Sequence, residues 1–96
     1  MTRSEVLRLL AEHRDELANM GVKSLSLFGS VARDEAGPDS DVDLLVDIRR
    51  PMGFFEYYRI QQYLEKLLGR PVDLVTRQAL KRQLRDQILS EAVRAT

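Results

Sequence analysis

Six acidic residues crowd positions 29–47 (Asp34, Glu35, Asp39, Asp41, Asp43 and Asp47), with Arg33 as the one base among them. Asp41 and Asp43 stand two apart at the start of the apolar run Leu44-Leu45-Val46. Strand side chains alternate between faces at about 3.3 Å per residue, so the two carboxylates point the same way, about 6.6 Å apart. Such a pair repels unless a proton or a cation offsets it. Hard divalent ions such as Mg2+ take carboxylate oxygens, usually beside phosphate oxygens of a substrate. Upstream, Gly29-Ser30 follows a second apolar segment. Glycine lets the backbone approach closely, and a helix starting there would aim free N–H groups at an anion. Together the two features suit a metal-held phosphate.

Gly29, Ser30 and Arg33, followed by Ser40, Asp41, Asp43 and Leu44, match a GS-x-A-R…SD-x-DL signature. On these residues the chain resembles the minimal nucleotidyltransferases, small relatives of the polymerase-β-type fold. The resemblance continues through Val72-Asp73-Leu74-Val75, where that family places a third metal carboxylate, and into residues 88–93. It therefore covers nearly the whole chain. A lone Gly-Ser is an ordinary turn and a lone DxD a solvated strand end; their joint spacing with a later VDLV carries the reading.

The resemblance implies roles. Asp41 and Asp43 would hold two Mg2+ ions, with Mn2+ an alternative, and Asp73 would hold the ion that activates the nucleophile. Gly29 and Ser30 would contact the terminal phosphates of ATP. Arg33 lies one helical turn past Ser30 and can reach those phosphates or an acidic neighbour. Position 34 is often glycine in the family and is Asp34 here. Its extra negative charge would weaken triphosphate binding unless Arg33 or Mg2+ offsets it. His13, the single histidine, is expected on a helix surface outside the site, and Asp47 lies two residues too deep in its strand to join.

These residues need a scaffold, and the pattern supplies one. Thr2 with Glu5 makes a capping box for a first helix whose stripe is Val6, Leu7, Leu10, Leu17 and Met20, stopped at Gly21. Alternation of Leu25 and Leu27 with Ser24 and Ser26 predicts a strand from Val22 to Phe28. A helix of five or six residues follows Gly29-Ser30 and ends near Gly37-Pro38. Residues 41–48 form the second strand, buried on both faces at its centre. The spacing predicts a long helix from Phe54 to Leu68 with Phe55, Tyr58, Leu64, Leu67 and Leu68 in the core, ended by Gly69 and Pro71. A short third strand spans 72–75. A last helix spans 77–92, capped by Thr76 and buried through Leu80, Leu84, Ile88 and Leu89. The fold class is α/β (α+β), in the order α-β-α-β-α-β-α, as one domain over residues 1–96. Propensity alone favours a parallel sheet; the resemblance implies a small mixed sheet packed with helices.

Ninety-six residues suffice for one core and leave no room for a second lobe. The absence of cysteine excludes disulfides and thiolate metal sites. No apolar run reaches the ~20 residues of a membrane span, and no signal-peptide pattern opens the chain, so a cytoplasmic protein is expected. Fifteen basic residues balance fifteen acidic ones. The broad basic surface of a free-standing nucleic-acid binder is missing, so no direct nucleic-acid binding is expected. The basic set Lys81, Arg82 and Arg85 reads as a solvated helix face.

Larger relatives carry a further domain that grips base or acceptor, so a partner should complete this site. Family members of this size resemble the antitoxin half of HEPN/MNT toxin–antitoxin pairs. That resemblance implies Mg2+-dependent transfer of AMP from ATP to a tyrosine of a cognate HEPN ribonuclease toxin. The alternative is a non-catalytic binding module that silences the toxin by stoichiometric occlusion. Transfer to a small molecule fits less well, for want of a small-substrate lobe. The aromatic residues Phe54, Tyr57, Tyr58 and Tyr63 exceed what one buried stripe needs, and the surplus marks an interface.

Overall fold

The computed structural model describes residues 2–35, 37, 40–80 and 82–96. Helix α1 (Arg3–Glu12) starts at Thr2, whose hydroxyl accepts the Glu5 N–H at 3.2 Å. It buries Val6 and Leu10. One continuous first helix was expected; instead His13 interrupts it, and α2 (Arg14–Asn19) follows, burying Leu17. His13 turns its Nδ1 to the Leu9 carbonyl at 2.9 Å and packs edge-on to Tyr63. Leu7 and Met20 are only partly buried.

Strand β1 (Val22–Phe28) buries Leu25 and Leu27 by alternation, and Val22 is buried as well because the register shifts between Val22 and Ser24. Helix α3 (Gly29–Ala32) is a single turn, shorter than expected. Strand β2 (Val42–Ile48) pairs antiparallel with β1 and buries Leu44, Leu45 and Val46 together. Helix α4 (Phe54–Leu68) ends at Gly69, whose φ of +66° suits a residue without a side chain. Its buried residues are Ile60, Leu64 and Leu68, spaced four apart. Phe55 and Tyr58 were expected in the core. They lie off that stripe and are exposed, Phe55 at 80% and Tyr58 at 49%. The Tyr63 hydroxyl donates to Glu16 and ties α4 to α2; burial and that carboxylate push its phenol up to about 12.

Strand β3 (Val72–Thr76) runs parallel to β2, giving the mixed sheet that the resemblance implied. A 3-10 turn (Arg77–Ala79), capped by the Thr76 hydroxyl, replaces the expected start of the last helix. Helix α5 (Arg82–Glu91) comes later, and its Leu84 is 51% exposed, against expectation. Ile88 and Leu89 are half-buried. A fourth strand, β4 (Val93–Arg94), was not foreseen and pairs with Ser26 and Leu27. The sheet order is β3-β2-β1-β4. Pro38, Asp39 and Lys81, named above at a helix end, in the acidic cluster and on a helix face, lie outside the described residues. Among the described residues no helix is long and apolar enough to cross a membrane.

Candidate active site

Asp43 is the second residue of β2, and its neighbours are fixed by the sheet. On one side the antiparallel register sets it against Phe28, the last residue of β1. On the other, the parallel register sets it against Asp73 of β3. Val72 and Leu74 are buried, so the alternation of β3 sends Asp73 out to the exposed face. Two of the three predicted carboxylates thus stand side by side on neighbouring strands. Asp41 is exposed and precedes β2 rather than lying within it.

Asp43 is half-buried, and its carboxyl is held above the usual carboxylate range. Partial burial is the main cause, then the charges of Asp73 and Asp41; Arg33 acts in the opposite direction. The three aspartates therefore share one electrostatic neighbourhood, with Arg33 at its border. Among the described residues no three acidic or histidine side chains already converge on one ion position. The carboxylates lie along an open sheet end, an arrangement suited to Mg2+ or Mn2+, which take one or two carboxylates and complete their shell with substrate phosphate oxygens.

Gly29 follows β1 directly and has φ +74°, a conformation L side chains rarely adopt. A Cβ there would collide with Oδ2 of Asp43 and lie 3.0 Å from its Cγ. The glycine thus lets the turn backbone lie against the carboxylate. Ser30 is half-buried in α3, and its carbonyl accepts the Glu35 N–H at 2.9 Å. Because α3 is one turn long, little macrodipole develops. Anion contacts at this turn would rest on the Gly29 backbone and the Ser30 side chain.

Arg33 takes the second of its two expected options. Its Nε donates to Glu35 at 3.0 Å and its guanidinium reaches Glu91 of α5 at 3.2 Å. Glu91 was not singled out in the sequence, since nothing local links residues 33 and 91. Asp34 has φ +56° and its carboxylate accepts the Arg3 N–H at 2.9 Å. The left-handed backbone explains why glycine suits this position, and aspartate tolerates it better than most residues. The charge of Asp34 is thus turned to the start of α1. Asp47 pairs in register with Ser24, further along β2 from Asp43.

Tyr57 is a further neighbour that the sequence reading did not assign to the site. Its hydroxyl donates to the Leu74 carbonyl, and its phenol is raised by burial and then by the charge of Asp73.

A family model described as a nucleotidyltransferase domain matches residues 8–95. The protein adenylyltransferase MntA of Thermococcus cleftensis is 39% identical over 94 residues, 97% of this chain and 95% of that protein. A candidate protein adenylyltransferase of Methanocaldococcus jannaschii is 42% identical over 82 residues, 82% of each chain. The solved structure of a candidate minimal nucleotidyltransferase superposes with a TM-score of 0.82 at 40% identity, covering 97% of this chain and 95% of that one. A toxin–antitoxin structure with AMP-PNP shares the fold: TM-score 0.73 at 22% identity, over 100% of this chain and 73% of that chain. With the family match spanning nearly the whole sequence and a relative aligned almost end to end, the chain belongs to the nucleotidyltransferase domain family.

Proposed function

We propose that this nucleotidyltransferase transfers AMP from ATP to a tyrosine hydroxyl of a cognate HEPN-type toxin and so acts as its antitoxin. The observation that carries the reading is the alignment of Asp43 with Asp73 on adjacent parallel strands, with the Gly29 backbone against Asp43. Relatives named protein adenylyltransferase support the reaction class, and a shared fold with toxin–antitoxin complexes supports the kind of partner.

Asp41, Asp43 and Asp73 would hold the divalent ions. When bound, such ions neutralise phosphate charge and make an acceptor hydroxyl more acidic. The chain's own residues do the positioning. Gly29 and Ser30 would receive the β- and γ-phosphates, leaving the α-phosphorus over the carboxylates. Arg33, released from Glu35 or Glu91, would add a charge-assisted contact to the same phosphates. In the transfer the acceptor oxygen bonds to the α-phosphorus, the bond to the β-phosphate oxygen breaks, and pyrophosphate leaves with that electron pair. The hydroxyl proton passes to solvent at the open sheet end.

Phe54, Phe55 and Tyr58 form an exposed aromatic cluster at the start of α4, with Phe54 and Tyr58 stacked at 6.2 Å. An apolar patch of this kind suits a partner surface. Intact-mass analysis of the toxin after incubation with this protein, ATP and Mg2+ tests the proposal. The toxin should gain one AMP per modified tyrosine with the wild type and none with Asp43→Asn. An unmodified toxin after full neutralisation would favour occlusion.

A further inference from the structure

Strand β3 is the outermost strand on its side of the sheet, so one row of its backbone groups faces away from β2. Unpaired edge groups are a liability, and parallel pairing is slightly weaker per residue than antiparallel pairing. On this strand the difficulty is compounded, because its carboxylate Asp73 stands beside Asp43 and the two repel.

Helix α4 answers that edge with side chains spaced four apart. Tyr57 donates its hydroxyl to the Leu74 carbonyl. Gln61 donates its amide to the Val72 carbonyl at 3.0 Å. Glu65 accepts the Val72 N–H at 2.9 Å. Residues i, i+4 and i+8 lie on one helix face, so this polar stripe runs down the strand as a neighbouring strand would. Its three bonds bracket Asp73, on Val72 before it and Leu74 after it. The apolar stripe Ile60, Leu64 and Leu68 fixes the same helix to the core.

We infer that Tyr57, Gln61 and Glu65 are positioning residues that hold the backbone on either side of Asp73 and so set its distance from Asp43. The inference rests on the reading of Asp43 and Asp73 as ion-holding carboxylates. Without the stripe, repulsion between the two carboxylates opens the β2–β3 end, and a bound ion must first draw the strands together. Small displacements of reacting groups cost rate steeply, and partners that orient ion ligands influence ion affinity.

The test uses the full chain as Tyr57→Phe, Gln61→Met and the double variant, with Lys66→Met on the exposed side of α4 as control. Mn2+ affinity is measured by calorimetry with a non-hydrolysable ATP analogue present, and AMP transfer to the HEPN-type partner is measured separately. The double variant should bind Mn2+ about tenfold more weakly. It should lose about tenfold in kcat, with KM for ATP within twofold of wild type. The control should match wild type. If the double variant does not fold, Gln61→Met alone carries the comparison with a smaller shift in the same direction. Wild-type Mn2+ affinity and kcat in variants with lowered melting temperature would overturn the inference, leaving only an edge cover. If the wild type transfers no AMP, the proposed function fails while the Mn2+ comparison still decides the inference: weaker binding in the variants supports it and equal binding overturns it. A wild type that binds no Mn2+ overturns both.

Discussion

Asp43 occupies the space that a side chain on residue 29 would need, so Gly29 is required twice. The first requirement is its backbone, at φ +74°. The second is contact, since a Cβ would strike the Asp43 carboxylate. The antiparallel register that sets Phe28 opposite Asp43 makes this approach unavoidable.

Gly29→Ala should therefore damage both folding and transfer. The left-handed conformation alone costs a non-glycine residue about 1–2 kcal/mol. Crowding against Asp43 adds to that and turns the carboxylate out of place. Adding Asp43→Ala relieves the crowding but leaves the backbone strained. Melting temperature should recover in part in the double variant while AMP transfer stays absent. A Gly29→Ala protein with wild-type melting and wild-type transfer would remove the steric argument.

Asp43→Asn separates chemistry from stability. On the proposed reading Asp43 would hold a divalent ion, and its loss should lower transfer about 10³-fold or more, from several kcal/mol of transition-state charge stabilisation. Stability of the metal-free protein should stay level or rise. The folded-state pKa of Asp43 lies above its ordinary value, mainly through burial, then through Asp73 and Asp41. The unfolded chain thus ionises first as pH rises, and the folded state loses stability between the ordinary carboxylate pKa and the raised one. The advantage of Asp43→Asn should be full at neutral pH and shrink on acidification through that window. Thermal melts without metal from neutral to acid pH measure it, and a large destabilisation at neutral pH would mark Asp43 as structural.

Much of this site could be read from the sequence because its geometry is local. The spacing of Asp41 and Asp43 and the glycine just after β1 all lie within one hairpin-like unit. The third carboxylate came from family resemblance, and the parallel β2–β3 register then set it beside Asp43. What escaped was non-local or lacked a signal. No glycine or proline announces the break at His13. The two-residue β4 carries too little pattern to recognise, and its partner β1 lies far back in the chain. Phe55 and Tyr58 were assigned to the core by hydrophobicity, although the true stripe of Ile60, Leu64 and Leu68 passes on another face. At position 34 the sequence displays only the added charge of aspartate, whereas the backbone at φ +56° is what favours glycine.

The exposed aromatics give a separate prediction. Phe54→Ser with Phe55→Ser should leave melting temperature nearly unchanged, since substitutions at exposed positions usually stay within about 0.5 kcal/mol. Affinity for the HEPN-type partner, measured by surface plasmon resonance, should fall at least about tenfold, as for buried aromatic anchors. Unchanged affinity would move the partner surface elsewhere.

The central claim is catalysis rather than occlusion, and turnover tests it most directly. A trace of this protein with ATP and Mg2+, mixed with excess HEPN-type toxin, should inactivate all of it. The toxin should stay inactive after separation and carry AMP on tyrosine, while Asp41→Ala should lose this effect yet still bind toxin. Occlusion would need stoichiometric protein, ignore ATP and reverse on dilution. If Asp41→Ala neutralises toxin as well as the wild type at substoichiometric ratios, the account is contradicted.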